Sequence, residues 1–336
     1  MSVYILAIES SCDDTSAAVL NDTTLLSNII ANQDIHAQYG GVVPELASRA
    51  HQQNIVPVVH AALKQAGIDK RQISALAFTR GPGLLGSLLV GVSFSKAYAY
   101  ALDIPLIEVD HLQGHILSHF IHKETPAPKF PFLCLCVSGG HTQIIRVNDY
   151  FDMQVIGRTI DDAAGEAFDK VAKILGFPYP GGPVVDQLAK TGNSNAFIFN
   201  EANIAHYDYS FSGLKTSFLY FLRDKLKDNP AFMEENKNDL CASIQKAIIH
   251  SLTKKLIKAS RDLKINEIAI AGGVSANSGL QKELVSLSRQ YHWTIHIPSL
   301  QFSTDNAAMI GIVGYFKYIR NQFSDISTVP YTRQKV

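Results

Sequence analysis

The chain is poor in cysteine, in tryptophan and in any excess of one charge. Its 336 residues include only four cysteines and one tryptophan, while Lys+Arg and Asp+Glu both total 30. Because so few cysteines occur, and none in a CxxC pair, a disulfide scaffold is disfavoured and a reduced, cytoplasmic protein is expected. The balanced charge argues against a protein that coats nucleic acid through its overall charge.

Long hydrophobic runs are also missing. No uninterrupted apolar run reaches the roughly 18 residues of a membrane span, and the first ten residues lack the basic start of a secretory signal. We therefore expect no membrane association. Apolar residues are nevertheless plentiful, at 46% of the chain, which is enough to build sizeable cores. At roughly 100–200 residues per domain, this length predicts two domains.

Strand-like and helix-like apolar patterns alternate along the chain, which predicts an α/β fold. Two strand–polar turn–strand hairpins place Ser11 and Ser138 in matching positions, about 127 residues apart. A strand–glycine loop–helix unit also occurs twice, at 73–87 and 267–277. We interpret this as an internal duplication into two lobes. A chance match is the alternative, since such units are common in α/β proteins.

The predicted lobes cover residues 1–128 and 129–305. A Pro-rich, polar linker at 123–129 marks their junction, and an insertion rich in turn signals occupies about 152–230 of the second lobe. Helical spacing of apolar residues predicts helices at 44–66, 240–263 and 306–318.

His111 and His115 form the first candidate site. A spacing of four residues on a helix turns both imidazoles to one face, where they can reach a single metal ion. A zinc protease needs Glu directly after the first His, but Leu112 stands there, so hydrolysis is disfavoured. Two histidines need a further ligand, for which Asp305 is a candidate, although an Asp before a helix often acts only as its cap. A histidine-bearing helix without metal is the alternative.

The second candidate site is a glycine turn at 138–142. Backbone N–H groups in such a turn can bind an anionic oxygen. The sequence lacks both GxxxxGK[ST] and a GxGxxG after a strand, so neither standard phosphate fingerprint applies. The polar loop at 9–15 holds the matching position in the first lobe and predicts contacts to the same phosphate. The candidates there are Glu9, Ser11, Cys12 and Asp13. An ordinary hairpin turn is the alternative.

Three further segments could line a nucleotide pocket. The acid-rich helix at 161–170 precedes a rigid Pro/Gly turn at 176–183, and Asp186 follows shortly after. The glycine loop at 272–277 could place an adenine ring against bare backbone, with the Asn277 amide free to hydrogen-bond. For the acidic helix alone, a solvated surface is the alternative.

Taken in order, these motifs resemble the tRNA N6-adenosine threonylcarbamoyltransferase (TsaD) family over nearly the whole chain. Each motif alone is weak, but all of them in sequence are specific. They are Ile8-Glu-Ser-Ser-Cys-Asp-Asp-Thr15, 36–49, 81–86, His111-Leu-Gln-Gly-His115, 137–142, 161–170, 179–183, 210–216, 271–277 and 303–306.

The resemblance implies an actin-like, two-lobed α/β fold with duplicated RNase H-like subdomains, the last helix (about 306–322) joining the first lobe. It implies one divalent metal ion per subunit, iron in preference to zinc, held by His111, His115 and Asp305. It also implies a pocket for the adenylate substrate, lined by Val137, Ser138, Gly139, Gly140, His141, Asp169, Gly182, Asp186 and Asn277.

The implied activity is transfer of threonylcarbamoyl from threonylcarbamoyl-AMP to N6 of the adenosine beside the anticodon, in tRNAs reading codons that begin with A, with release of AMP. The implied partners are tRNA and the TsaB and TsaE proteins, since balanced charge argues against unaided tRNA binding. Two alternatives are an actin-like ATPase or sugar kinase, which would not need the histidine pair, and a non-catalytic scaffold subunit, which would be expected to lose the metal ligands.

Three positions depart from the family pattern. Asp14 stands where Glu is frequent, Gln113 replaces a common Glu, and Ser303 replaces a frequent Cys. None of these is an implied metal ligand.

Overall fold

The computed structural model describes residues 2–122, 126–202 and 204–333, so 123–125 of the predicted linker lie outside it. The strands in the described residues are β1 (Tyr4–Glu9), β2 (Thr15–Asn21), β3 (Thr24–Ala31), β4 (Ala75–Gly81), β5 (Leu106–Asp110), β6 (Phe132–Val137), β7 (Thr142–Asp149), β8 (Asp152–Arg158), β9 (Glu267–Ala271) and β10 (Thr294–His296). The α-helices are α1 (Pro44–Ala66), α2 (Leu85–Leu102), α3 (His111–Leu117), α4 (Ala164–Ile174), α5 (Gly181–Ala189), α6 (Ser212–Asp228), α7 (Phe232–Glu235), α8 (Lys237–Leu263), α9 (Ser278–Tyr291) and α10 (Ala307–Tyr318).

The chain divides into two compact units. The first comprises Met1–Ala127 together with Ser299–Val336, and the second comprises Pro128–Pro298. The sequence prediction ended the second lobe at 305, a few residues later. The observed division puts Asp305 in the same unit as His111 and His115.

Each unit contains one five-stranded sheet, and the two sheets share one topology. The strand order is β3-β2-β1-β4-β5 in the first and β8-β7-β6-β9-β10 in the second. In both, the first strand pairs antiparallel with the hairpin strand that follows it and parallel with the later strand. This match confirms the predicted duplication and the actin-like α/β fold.

Strands β1, β2 and β4 of the first sheet are buried along almost their whole length. Since successive side chains of a strand point to opposite faces, both faces of this part of the sheet are covered. Leu6 and Ile8 of β1 belong to a core that includes residues of α1 and α2. α10 contacts β1, β2 and β4. A Cβ at Gly314 would lie 2.6 Å from the Ala77 Cβ, so glycine lets this helix approach the sheet closely.

In the second unit, β8 is the counterpart of β3, and the extra material is the helices α4 to α7 that follow it. The predicted start of the insertion near 152 was therefore too early. β8 is an edge strand with a mostly exposed burial pattern, so its sequence lacks the clear apolar alternation that marks a half-buried strand.

The long predicted helices are confirmed. α1 and α8 match the predicted bounds to within a few residues, and α10 starts one residue after the predicted start, with Asn306 as its N-cap. In the described part of the chain, one helix, α2, is long and apolar enough to span a membrane by length and composition, a test that core helices of soluble proteins also pass.

Candidate functional site

The candidate metal ligands of the first unit begin at the end of β5. Asp110 ends this strand and caps α3, its Oδ1 accepting hydrogen bonds from the backbone N–H groups of Leu112 (2.9 Å) and Gln113 (3.1 Å). His111 and His115 lie one turn apart on α3 and are both buried. The predicted helical placement of the two imidazoles is therefore confirmed.

Asp305 meets the two histidines from the segment just before α10. Its Oδ1 lies 3.1 Å from His115 Nε2 and 3.4 Å from His111 Nε2. The helix cap predicted as the alternative role of Asp305 is supplied instead by Asn306, whose Oδ1 accepts from the Met309 N–H. The carboxylate of Asp305 thus remains directed at the histidines.

Glu9 stands behind His111. Its Oε2 lies 3.1 Å from His111 Nδ1 and accepts a hydrogen bond from Thr79 Oγ1, while its Oε1 accepts from the Ser11 N–H. Glu9 is fully buried, so the structure places it as a partner of His111. The phosphate contact expected for Glu9 stays a prediction, and sequence reasoning missed its pairing with a histidine 102 residues away.

The charges of this cluster reinforce one another. Burial disfavours the imidazolium of His111, but the carboxylates of Asp305 and Glu9 outweigh it and raise the His111 pKa well above its ordinary value. Burial likewise disfavours the Asp305 carboxylate, yet His111 and His115 hold the pKa of Asp305 well below its usual range. The carboxylates of the buried Glu9 and the partly exposed Asp305 thus favour positive charge beside the two imidazole rings, whether a proton or a bound cation carries it.

The donor set fits a divalent metal. One atom from each of His111, His115 and Asp305 lies within 4.8 Å of the others. Two imidazoles and a carboxylate on one side of an ion form a set that suits iron(II) and also zinc. A metal-binding histidine usually donates its second ring N–H to a carboxylate or carbonyl, and Glu9 supplies that acceptor for His111.

The loop after β1 is fixed through its backbone. The carbonyl oxygen of Cys12 accepts from His51 Nε2 (3.0 Å) and Ser87 Oγ (2.9 Å), and that of Ser11 accepts from the Leu84 N–H. The side chains of Cys12 and Asp13 are half-buried. Burial, followed by the neighbouring Asp13 charge, raises the Cys12 pKa far above its usual value, so this thiol stays protonated.

In the second unit, the predicted glycine turn is closed by two hydrogen bonds between Ser138 and His141, and its two glycines border free space. The Ser138 N–H donates to the His141 carbonyl oxygen (2.8 Å), and the His141 N–H donates to Ser138 Oγ (3.1 Å). An added Cβ at Gly139 or Gly140 would meet nothing within 4 Å. A ligand can therefore reach the backbone of this turn without displacing neighbouring atoms.

The remaining predicted pocket residues lie on α4, on α5 and on the segment 272–277 before α9. These elements and the glycine turn contact one another in succession, and we call them together the contact ring. A Cβ at Gly165 on α4 would lie 2.5 Å from the Ser138 carbonyl oxygen, so α4 starts against the glycine turn. Asp169, also on α4, accepts from the N–H groups of Gly181 (2.8 Å) and Gly182 (3.1 Å), which fastens α4 to the start of α5.

The rest of the contact ring joins α5 to the start of α9, and the segment before α9 to β6. Asp186 accepts from Ser278 through its N–H (3.2 Å) and Oγ (2.9 Å). Asn277 caps α9, with Oδ1 accepting from Leu280 and Nδ2 donating to Gln245 Oε1. Gly272 packs against Val137 at the end of β6, since a Cβ at Gly272 would lie 2.5 Å from the Val137 carbonyl oxygen. The segments that carry the nine predicted pocket residues are thus connected to one another, and their role in holding the adenylate stays a prediction.

The C-terminal segment braces the helix that carries the two candidate histidine ligands. The Tyr331 hydroxyl donates to Asp110 Oδ2 (2.5 Å), the oxygen that does not cap α3. The Tyr331 N–H donates to the Arg80 carbonyl oxygen, and the Arg80 guanidinium lies 5.6 Å from the Tyr331 ring centroid. Sequence reasoning missed this brace because the tail has no periodic pattern. Asp110, by contrast, carried the ordinary signal of a helix cap.

We expect Tyr331→Phe to loosen the start of α3, because Asp110 loses a hydrogen bond to a charged group worth about 1.5–3 kcal/mol. Amide hydrogen exchange at Leu112 and Gln113 should accelerate, and the free energy of unfolding should fall. Tyr220→Phe, which removes the hydroxyl of an exposed tyrosine on α6, is the matched control. Equal exchange rates in both variants would show that the brace has no effect.

The comparisons with known proteins agree with this arrangement. The family model described as tRNA N6-adenosine threonylcarbamoyltransferase matches residues 24–312. A relative of that name from Phocaeicola vulgatus is 60% identical over 336 residues, covering 99% of both chains. The chain belongs to the tRNA N6-adenosine threonylcarbamoyltransferase family. A second relative, from Porphyromonas gingivalis, is 59% identical over 334 residues and covers 98% of each chain.

Solved structures agree at the level of fold. HypF from T. kodakarensis is 14% identical, with a TM-score of 0.64 over 95% of this chain and 48% of that one. The activator of 2-hydroxyisocaproyl-CoA dehydratase from Clostridium difficile is also 14% identical, with a TM-score of 0.50 over 97% of this chain and 100% of the activator. Membership of the threonylcarbamoyltransferase family favours a transferase over the ATPase or sugar kinase alternatives.

The three departures from the family pattern lie close to these sites. Gln113 is in the first turn of α3, with its N–H bonded to Asp110. Ser303 is fully buried, and its hydroxyl donates to the Ser299 carbonyl oxygen (3.4 Å). Asp14 is half-buried at the end of the first loop. None of the three is among the side chains that converge at the metal centre.

Proposed function

We propose that this chain transfers the threonylcarbamoyl group of threonylcarbamoyl-AMP to N6 of the adenosine beside the anticodon, in tRNAs that read codons beginning with A. The convergence of His111, His115 and Asp305 on one point carries the proposal, because a sugar kinase or ATPase has no need of that trio. The curated relatives, up to 60% identical and named for this activity, support it.

The reaction breaks the bond between the carbamoyl carbon and a phosphate oxygen and forms a bond from that carbon to N6. AMP leaves with the bonding electron pair, and N6 loses one proton. N6 is a weak nucleophile because its lone pair is delocalised into the adenine ring. Holding the two substrates in a reactive orientation therefore supplies a substantial part of the rate, roughly 7–11 kcal/mol in well-oriented systems.

The residues of the second unit would hold the adenylate. A Cβ at Gly139 or Gly140 would meet nothing within 4 Å, so a phosphate can approach the backbone of this turn. Its N–H groups would donate to the phosphate oxygens as negative charge grows on the leaving AMP. Asp169 and Asp186 are engaged with the starts of α5 and α9. We propose that they shape the pocket by fixing those two helix starts, with Asn277 and Gly182 on its wall.

We propose iron(II), in preference to zinc, as the ion held by His111, His115 and Asp305, since two imidazoles and one carboxylate form the facial set typical of non-haem iron. Such an ion supplies Lewis-acid chemistry for oxygen ligands. Glu9 fixes the orientation of the His111 ring through Nδ1, and Asp305 fixes the spacing of the two histidines by facing both Nε2 atoms.

We also propose the cytoplasm as the site of action, with the TsaB and TsaE proteins as partners and tRNA as the acceptor. The chain has only four cysteines, and none of them stands in a CxxC pair, as expected of a reduced compartment. The formal net charge of zero supports a shared tRNA surface, because phosphate contacts need clustered basic residues.

Incubation of the purified protein with its partners, threonylcarbamoyl-AMP and unmodified tRNA tests the proposal. Nucleosides from the digested tRNA are separated and weighed by mass spectrometry. We expect N6-threonylcarbamoyladenosine together with one AMP per modified nucleoside. Release of AMP without modified tRNA, or phosphorylation of sugars by ATP, would contradict the proposed transfer.

Gly165→Ala should disturb the proposed adenylate pocket indirectly, because Gly165 packs against the glycine turn that forms part of it. The new Cβ would lie 2.5 Å from the Ser138 carbonyl oxygen and 2.8 Å from the Gly139 nitrogen, so the glycine turn must shift. We expect the affinity for threonylcarbamoyl-AMP, measured by calorimetry, to fall about 10-fold, within the 1–3 kcal/mol typical of overpacking. Gly213→Ala on α6, where a Cβ meets nothing within 4 Å, should bind normally, and equal affinities would contradict the role of this contact.

A further inference from the structure

The exposed face of α8 is almost entirely basic. From Cys241 to the helix end, all exposed positions but one carry a lysine, arginine or histidine, and the remaining positions are buried or half-buried. The single exposed acid is Asp262. The exposed basic residues, which we call the basic stripe, are Lys246, His250, Lys254, Lys258, Arg261 and Lys264.

The spacing of the basic stripe keeps its charges in line. Within α8 its members follow one another at intervals of four, four, four and three residues, and such intervals stay on one face of a helix. Lys264 is the C-cap residue that follows the helix. At a rise of 1.5 Å per residue, the stripe is about 27 Å long, with a charge roughly every 6 Å. This arrangement stands out in a chain whose Lys+Arg and Asp+Glu totals are equal.

Acidic neighbours do not cancel the stripe. Asp262 is engaged by Lys258 Nζ (3.0 Å) and by the Tyr207 hydroxyl (2.8 Å). Glu201 lies 3.9 Å from His250 Nε2 and is largely covered. Glu283 of α9 lines the same surface groove as the stripe. Five lysine and arginine charges are therefore set against three acids, one of which, Asp262, is paired with Lys258.

Two adjoining surface grooves follow the stripe. The first, of about 430 Å³, is lined by His250, Lys254, Lys258 and Arg261 of α8 and by Glu283 and Leu287 of α9. The second, of about 280 Å³, adds Lys264 and the rings of Tyr291 and Trp293. The Arg261 guanidinium lies 5.0 Å from the Tyr291 ring centroid. Basic side chains beside aromatic rings are a common lining of grooves that follow a nucleic-acid backbone.

The stripe begins next to the contact ring of predicted pocket elements. Lys246 directly follows Gln245, whose side chain bonds Asn277 at the start of α9. From there the stripe runs along α8 towards its C-terminal end at Leu263. A polyanion whose target base approaches the adenylate held at the contact ring can therefore extend its backbone along the basic side chains.

We propose that the basic stripe binds the phosphate backbone of the tRNA acceptor. This inference rests on the proposed function for the identity of the polyanion. Lysines and arginines that contact phosphates position a nucleic acid without reading its bases. The stripe therefore contributes affinity shared by all tRNAs, and selection of the target adenosine resides elsewhere.

The test compares two charge reversals of equal size in the same unit. Lys254→Glu with Lys258→Glu alters the stripe, and Lys225→Glu with Lys227→Glu alters two exposed lysines of α6. Binding of fluorescent unmodified tRNA to each variant, assembled with the TsaB and TsaE proteins, is measured by anisotropy between about 50 and 200 mM salt. We expect the stripe variant to lose at least about 10-fold in affinity and its log–log salt slope to fall by about 2, or 1 per lysine. The α6 variant should bind like the wild type.

Several results would overturn the proposal. They are unchanged affinity in the stripe variant, an equal loss in the α6 variant, and wild-type binding that does not depend on salt. Stripe-dependent binding to phosphatidylserine vesicles with stripe-independent tRNA binding would assign the face to membranes instead.

A transfer assay at saturating tRNA separates this proposal from the proposed function. We expect the stripe variant to keep near wild-type turnover there, with a raised KM for tRNA. If the wild type transfers the group while the stripe variant binds tRNA normally, only the stripe proposal fails. If the stripe variant loses tRNA affinity but the wild type does not transfer the group, the proposed activity is wrong and the proposal for the stripe is retained.

Discussion

His111→Ala is expected to abolish metal binding and threonylcarbamoyl transfer together. The substitution removes one of the three proposed ligands, whose ligand atoms lie within 4.8 Å of one another, and the two remaining groups could not hold the ion in the same geometry. Loss of a hydrogen-bond partner of a metal ligand lowers metal affinity about 10–100-fold, so removal of the ligand itself should lower metal affinity by at least about 100-fold. Metal content is measured by elemental analysis, and transfer by nucleoside mass spectrometry.

His122→Ala is the matched control for this variant. His122 is an exposed histidine that follows the short helical turn after α3, so the same substitution there should leave metal content and turnover unchanged. Wild-type turnover in metal-free His111→Ala protein would refute the role of the ion. A wild-type metal content in that variant would refute His111 as a ligand.

Glu9→Gln is expected to weaken metal binding by about 10–100-fold without removing any ligand. The carboxylate of Glu9 lies 3.1 Å from His111 Nδ1. An amide of the same shape lacks the charge that makes the imidazole a better donor to a cation. Competition with a chelator of known affinity measures the change, and thermal unfolding of the metal-free protein reports whether the fold is intact.

Glu267→Gln provides the comparison for Glu9→Gln. Glu267 lies 2.7 Å from His296 Nε2 in the second unit, and both side chains are largely buried. This variant therefore also neutralises a Glu–His pair, but one that has no metal ligand. Equal metal affinities for the Glu9 and Glu267 variants would show that Glu9 does not act through His111.

Much of the fold could be predicted because its signals are local. β6 and β9 have the predicted bounds, and α1 spans the predicted residues, since each is marked by an apolar run or a helical spacing. The duplication could be predicted because two polar turns interrupt similar hairpins. The edge strand β8 was missed because its side chains are mostly exposed.

The candidate site was predictable only where its residues lie close together in sequence. The pairing of His111 with His115 follows from helix geometry, whereas Asp305 was one candidate ligand among others until the family resemblance selected it. The pairing of Glu9 with His111 and the contact of Tyr331 with Asp110 were not predicted, since these partners lie 102 and 221 residues apart. Such contacts depend on strand order and on the path of the tail. The basic stripe required knowing which face of α8 is exposed.

Anomalous X-ray scattering from crystals of the metal-loaded protein, collected on both sides of the iron and zinc absorption edges, tests the metal centre most directly. We predict one strong peak per chain at bonding distance from His111 Nε2, His115 Nε2 and Asp305 Oδ1, with its signal at the iron edge. A peak located away from these three atoms, or no peak in protein that performs the transfer, would contradict the account.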